Sequence, residues 1–355
     1  MPMPSIIVNF QKAAVQTASK AGARSVATVV KDNGATEGYY LLGELDDAPA
    51  GLSQTNLDHI ARIFEGSINR PSEVHLAVIP SEDSDYTDAF ALLQTHAFDW
   101  FVPGPEASNT IMTAAQTWAL GLRTNDNMPA KCVLSDTAAD SPYMVNFTTD
   151  GIKVGASTYT TAQYAGRIAG IIAGTPLDRS ATYITLEEVE DVTRLSKEDQ
   201  DEAVDGGQYI LFYDGVKVKT GRAVTSLTTT TTTPEDLKKI KIVEIIDMIQ
   251  TELTRLMQDN YIGTLPNTYD NKQVLVTAVL TYLRGLEDYG ILAAGESTAE
   301  IDVAATRQYL KEEGMDVSKM TEDEIRTADT GTHVFILATI HILDAIEDIQ
   351  INVYY

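Results

Sequence analysis

The side chains that could carry acid–base, nucleophilic or metal chemistry are five histidines, one cysteine and 51 aspartates and glutamates. A nucleotide-binding or hydrolytic site draws such groups into short motifs. This chain has no G-x-G-x-x-G after a strand, no G-x-x-x-x-G-K-[ST], no H-E-x-x-H and no G-x-S-x-G. His333 and His341 fall on one face of a strand candidate, too far apart to chelate one ion, and read as ordinary strand histidines. The oxygen-rich stretches "SEDSDYTD" (81–88) and "TNDN" (124–127) lack the glycine at the sixth position and the closing glutamate at the twelfth that a calcium loop needs. They read as a helix-capping start and a turn. Cys132, in the strand-like run "KCVLSD", has no second cysteine to pair with and reads as a buried, inert thiol. No catalytic residue, metal site or cofactor is therefore expected.

Lysine and arginine number 26 against those 51 acids, for a formal charge of −25. Such a field opposes binding to nucleic acid or to an anionic membrane, both of which need clustered cations. It favours solubility and makes self-assembly costly unless unlike charges meet at the contacts. The cluster "LKKIK" holds Lys238, Lys239 and Lys241. It is a candidate contact for an acidic partner, against the plainer reading of a solvated basic face. No stretch reaches the ~18 consecutive apolar residues of a spanning helix. The start "MPMPSIIVNFQKAA" has no basic region ahead of its apolar run, so a cytoplasmic folding site is expected.

The elements that would position these residues follow a simple order. Residues 1–20 read as an arm containing a short strand, "SIIVNF". From residue 24, strand-like runs "RSVATVVK", "EVHLAVIP", "DWFVP" and "KCVLSD" alternate with amphipathic helix candidates at 55–64, 86–93 and 109–122. That alternation implies crossover connections and a mostly parallel sheet. The helix "TTAQYAGRIAGIIAG" is capped by Thr160 or Thr161, carries an apolar stripe of Ala165, Ile168, Ala169 and Ile172, and has Gly166 and Gly170 for close packing. An α/β domain over 21–206, ending in an acidic connection at 187–205, is expected.

The second part, 207–348, reads as α+β. "QYILFY" and "VKVKTGRAVTSL" flank a hairpin turn at Asp214 and Gly215. A long helix is expected from Thr233 as N-cap with Pro234 in its first turn, and a second over 271–289. A shorter helix is expected near 303–313, followed by an alternating strand over 334–342. Residues 349–355 also alternate, with Ile349, Ile351 and Val353 against Gln350 and Asn352, and are followed by no partner strand. A bare edge of that kind is a template for pairing with another chain.

Three stretches resemble the contractile tail sheath proteins of phages and R-type bacteriocins such as the diffocins. They are "YAGRIAGIIAGTPLDRSATY", then "GQYILFYDGVKVKTGRAVTSLTT" running into "KKIKIVEIIDMI", and "YIGTLPNTYDNKQVLVTAVLTYLRGLEDYGIL". Their order and spacing over 164–292 carry the resemblance, and the overall form looks like that of the short Gram-positive type. It implies a subtilisin-like α/β domain without catalysis, since "AGTPL" has proline where the protease nucleophile would stand. It also implies a C-terminal α+β sheath domain, with extended strand arms at both ends that complete a sheet in adjacent subunits. The donated residues would be Ile6, Ile7, Val8 and Phe10 at one end and Ile349, Ile351, Val353 and Tyr355 at the other. The implied partners are further copies of the chain in a helical polymer, an inner tail tube and a baseplate. Nucleic acid and membrane insertion have no place in it. Assembly would take place in the host cytoplasm, and the product would be the tail of a virion or bacteriocin particle. A ligand-binding α/β protein or enzyme with an appended α+β domain is the alternative; a β-dominated tube protein fits this helix-rich sequence less well.

Overall fold

The computed structural model describes residues 24–354. The arm residues Ile6, Ile7, Val8 and Phe10, and the terminal Tyr355, lie outside the described residues. Two compact units are present, one formed by residues 24–244 with 345–354, the other by residues 245–344.

The first unit is built on a seven-stranded sheet of order β10-β6-β5-β4-β1-β3-β2. Its strands are β1 (Val26–Lys31), β2 (Gly38–Leu42), β3 (Val74–Ile79), β4 (Trp100–Val102), β5 (Lys131–Ser135), β6 (Met144–Phe147) and β10 (Gln208–Tyr209). All neighbours pair in parallel except β2, which runs antiparallel to β3 at one edge. β1, β3 and β5 are buried at nearly every position and mostly apolar, as strands covered on both faces are. On β1, Val26 and Val30 join the core on one face while Ala27 and Val29 join the core on the other. Helices α1 (Gln54–Glu65) and α4 (Thr161–Gly174) cover the first face; α2 (Thr87–Leu93) and α3 (Asn109–Asn125) cover the second. The parallel α/β expectation is met in this unit.

Helix α4 shows how local sequence sets packing. Thr160, not Thr161, is its N-cap, in a capping box with Gln163. Cβ atoms built on Gly166 and Gly170 would meet the His59 ring at 2.8 Å and the Ile63 carbonyl at 2.2 Å. The glycines let α4 lie directly on α1. A Gly170→Ala substitution should therefore destabilise this unit by about 1–3 kcal/mol through overpacking, read as a fall in the denaturant midpoint with an unchanged slope.

His59 sits fully buried at that contact, its Nε2 2.9 Å from Thr28 Oγ1. Burial, with Arg62 nearby, lowers its pKa from 6.5 to about 3. The folded chain keeps the ring neutral while the unfolded chain protonates it below its ordinary pKa. Stability is then full above that value and declines as the pH falls toward 3. A His59→Gln chain should lose less stability than the parent between pH 7 and pH 4.5, as measured by chemical denaturation at both.

Beyond β6 come the hairpin β7 (Ile152–Val154) and β8 (Ser157–Tyr159), the short β9 (Thr185–Leu186) and helix α5 (Lys197–Asp205). Strands β11 (Leu211–Tyr213) and β12 (Val218–Thr220) form a three-stranded sheet with β9, in the order β11-β12-β9. The Asp214–Gly215 turn lies between them as expected, closed by the Asp214 amide on the Lys217 carbonyl at 2.9 Å. The run "QYILFY" is not one strand. Gln208–Tyr209 joins the large sheet beside β6, while Leu211–Tyr213 belongs to the small one. The division expected at residue 206 thus falls ahead of a strand of the large sheet. The "VTSL" segment is not a strand either, and carries only an isolated bridge from Val224 to Lys239.

The second long-range expectation also shifts. Glu235–Lys238 forms a 3-10 turn with Pro234 as its cap, and helix α6 begins only at Ile240, running over Ile240–Asn260. Lys239 has extended backbone and pairs with Val224, which holds the two helical pieces apart.

In the second unit, α7 (Tyr269–Asp288) packs on a two-stranded antiparallel sheet of β13 (Thr298–Ile301) and β14 (Ile336–Thr339). Helices α8 (Val303–Glu312) and α9 (Glu322–Thr327) complete it. The strand expected over 334–342 is confined to Ile336–Thr339, with one further bridge from Ile342 to Leu292.

Candidate assembly site

Two features of this chain are unfinished, one in each unit. The first is the edge of β14. It pairs with β13 on one side, and among the described residues no strand pairs with it on the other. Successive residues of a strand turn their N–H and C=O groups to opposite edges. The Phe335 carbonyl accepts from the Asp302 amide at 2.9 Å, and the His341 carbonyl accepts from the Ala293 amide at 2.8 Å. Odd-numbered residues thus serve the paired side, which leaves the main-chain groups of Ile336 and Ala338 for the open one. Beside that edge lies a groove of about 930 Å³, walled by Leu253 and Met257 of α6, Leu275 and Val279 of α7, and Ile336 and Ala338 of β14.

The segment "YIGTLPNTYDN" builds one end of this groove. The Asn267 side-chain amide donates to the carbonyls of Gly331 at 2.7 Å and His333 at 3.1 Å and to the Thr330 hydroxyl at 3.1 Å. It ties the α6–α7 loop to the chain entering β14. Asn271 donates to the Pro266 carbonyl at 2.8 Å and holds the loop's own turn.

The second unfinished feature is the C-terminal segment. Ile349, Ile351 and Val353 are 73%, 78% and 80% exposed. In this chain the segment forms no strand up to Tyr354. Alternating aliphatic side chains held in water have no folding role within one copy. The segment's root, by contrast, is held. Glu347 Oε1 accepts from the hydroxyls of Ser180 at 2.8 Å and Thr182 at 2.7 Å. Arg222 Nε lies 3.2 Å from Glu347 Oε2, and its Nη2 donates to both carboxylate oxygens of Asp348 at 2.7 Å. The hydrogen bond to Asp348 raises the Arg222 guanidinium above its ordinary pKa. Sequence reading singled out the alternation of 349–355 but missed this anchor; "RSAT" and "TGR" lie far from "EDI" in sequence and carry no spacing signal.

The lysine cluster does not hold together as a surface. Lys241 is only 7% exposed, with Nζ 3.4 Å from the Asp178 carbonyl. Lys238 and Lys239 sit 3.7 Å from Glu235 and 3.9 Å from Asp236, offsetting the acids of their own turn.

The chemistry-bearing side chains are likewise dispersed. His333 is outside any strand and packs with Tyr309 and Phe335, while His341 Nδ1 lies 2.7 Å from Glu296. Asp85 caps Thr87 at the start of α2, and Asn127 takes a positive φ of 52° in the turn after α3. Cys132 is fully buried, its thiol pKa pushed up by desolvation. Among the described residues no cluster of three or more His, Cys, Asp or Glu side chains could hold a metal ion, and no helix is long and apolar enough to cross a membrane.

Residues 81–226 match the family model of the phage tail sheath protein central domain, and residues 232–355 that of the phage tail sheath C-terminal domain. The chain belongs to the phage tail sheath family. It is 33% identical to the tail sheath protein of Clostridium phage phiCD119, over 98% of each chain. Its fold is shared with a sheath tail protein from Listeria innocua at a TM-score of 0.68 and 15% identity, over 96% of this chain and 100% of that one. It is shared too with the helical sheath of the anti-feeding prophage in its contracted state, at a TM-score of 0.69 and 14% identity, over 100% and 99%. As a tail sheath protein, the chain has a structural role in a contractile injection system.

Proposed function

We propose that the protein polymerises helically around an inner tail tube, docks on a baseplate, and contracts by rigid-body rearrangement of its subunits to drive the tube through a target envelope. Residues 349–355 of one copy add as a strand to the open edge of β14 in another. Main-chain hydrogen bonds set direction, and Ile349, Ile351 and Val353 fill the neighbour's groove, as in strand addition generally. The N-terminal residues Ile6, Ile7, Val8 and Phe10, with Tyr355, belong to the same exchange. What supports this reading is that one chain carries both an exposed, alternating apolar segment and an apolar groove beside a strand edge that no other described strand covers.

Contacts that do not close a ring extend as helical filaments. Arms tethered to neighbours let the compact units swing without dissociating, and a gap of a few kcal/mol per subunit between two lattices biases the transition strongly. The energy is stored at assembly, so the chain has no catalytic role; its first unit is a subtilisin-like α/β sandwich used as a rigid body. Assembly belongs in the host cytoplasm and the finished sheath in the tail of a phage or bacteriocin particle, without nucleic acid or membrane insertion.

Electron microscopy of the purified protein, alone and mixed with its tube protein, tests this. Helical tubes that enclose the inner tube are expected; compact particles with hydrolase activity in homogeneous material would overturn it.

A further inference from the structure

The residues that hold Glu347 and Asp348 come from two of the stretches by which the family was recognised. Ser180 and Thr182 stand in "TPLDRSATY" and Arg222 in "KTGRAVTSL", yet they converge on one carboxylate pair. The receptor is itself braced. Ala181 O accepts from Tyr209 Oη at 2.7 Å and from Thr220 Oγ1 at 2.8 Å, and Thr182 Oγ1 accepts from the Ala223 amide at 2.9 Å. Directly after them Tyr183 takes a φ of 57°, a conformation that bulky side chains seldom adopt, persisting where the surroundings over-determine it. Glu347 is half-buried between the exposed Ile346 and Asp348, and from Asp348 to Tyr354 the chain stays exposed.

We propose that Ser180, Thr182 and Arg222 form an ionic anchor that fixes the root of the C-terminal arm on its own subunit, so that residues 349–355 leave from a set point toward the neighbour. The assignment rests on the strand-donation reading above. The Arg222 side chain is 43% exposed and Asp348 86%, and a lone ion pair at such exposure holds little. Three features separate this one from a lone pair. The guanidinium grips Asp348 through both carboxylate oxygens, it also reaches Glu347, and Glu347, at 20% exposure, takes two hydroxyl hydrogen bonds as well. During contraction such an anchor transmits load from the donated strand into the compact unit at one point. Without it the arm would search a larger volume before finding an edge, and assembly would slow.

The test uses the monomer and the polymer. Spin labels on Glu198→Cys and Gln350→Cys report the arm's position, with Cys132 protected by complete burial. The parent should give a narrow distance distribution. Arg222→Gln should broaden it, Arg222→Lys should fall between because lysine lacks the planar fork, and Glu347→Gln should broaden it less than Arg222→Gln. In the polymerisation assay, Arg222→Gln should slow assembly about tenfold, in line with losing charge-assisted contacts to both Glu347 and Asp348. An unchanged distribution in Arg222→Gln would overturn the anchor, and so would a broadened one with assembly at the parental rate. Tubes formed by a chain lacking 349–355 would instead sink the strand-donation reading, while the distances would still decide whether the root is held.

Discussion

Deleting residues 349–355 should leave a soluble, folded chain that sediments as a monomer and forms no tubes. The removed residues belong to no core: Ile349, Ile351, Val353 and Tyr354 are 73–93% exposed in the isolated chain. Surface changes of this kind shift stability by about 0.5 kcal/mol or less, so the denaturation midpoint should barely move. Polymerisation, however, loses the strand that joins one copy to the next. Burying each of these aliphatic side chains in a neighbour's groove is worth about 1.5–3 kcal/mol, and every subunit repeats the loss. Ile351→Asp should show the same effect in milder form, because a charge would enter an apolar groove unpaired. Analytical ultracentrifugation and negative-stain microscopy read both outcomes. Normal tubes from the truncated chain would contradict the account.

The second large effect is expected at the acceptor edge. Ala338 and Leu337 are neighbours on β14 but turn their amides to opposite sides. Ala338→Pro removes an N–H that no residue of the same strand pair uses, and proline is tolerated on an edge whose N–H faces outward. This chain should fold with its β13–β14 pairing intact, yet fail to accept a strand. Leu337→Pro removes an amide on the β13 side and should destabilise the second unit by about 1–3 kcal/mol. The contrast separates an assembly defect from a folding defect. Mixed with the parent, Ala338→Pro subunits should cap growing tubes, since they can donate an arm and not receive one. If Ala338→Pro polymerises normally, the open edge of β14 is not the acceptor.

Much of the first unit was readable in the sequence because its signals are local and repeated. The runs around Val26, Val74, Trp100 and Cys132 are apolar over strand lengths, and the helices between them carry a helical period. Misreadings fell where a long-range partner overrides a local pattern. Gln208–Tyr209 and Leu211–Tyr213 look like one strand in sequence; β6 claims the first pair and β12 the rest. Lys239 is diverted from a helix by its bridge to Val224. The 334–342 alternation overstates β14 because β13 offers only Thr298–Ile301 to pair with. The alternation of 349–355 is plain in the sequence, yet its strand does not form within one copy, and no local rule could say where it goes. The anchor at Glu347 was illegible for another reason: its partners are brought together only by the turn at Tyr183 and the β9–β12 pairing.

The most direct measurement is a cryo-EM reconstruction of the assembled sheath at a resolution that traces main chain. We expect residues 349–355 to lie as a strand against Ile336 and Ala338 of an adjoining copy, with Glu347 still seated between Ser180, Thr182 and Arg222 of its own. A map in which those last residues fold onto their own subunit, leaving every β14 edge uncovered, would contradict the account.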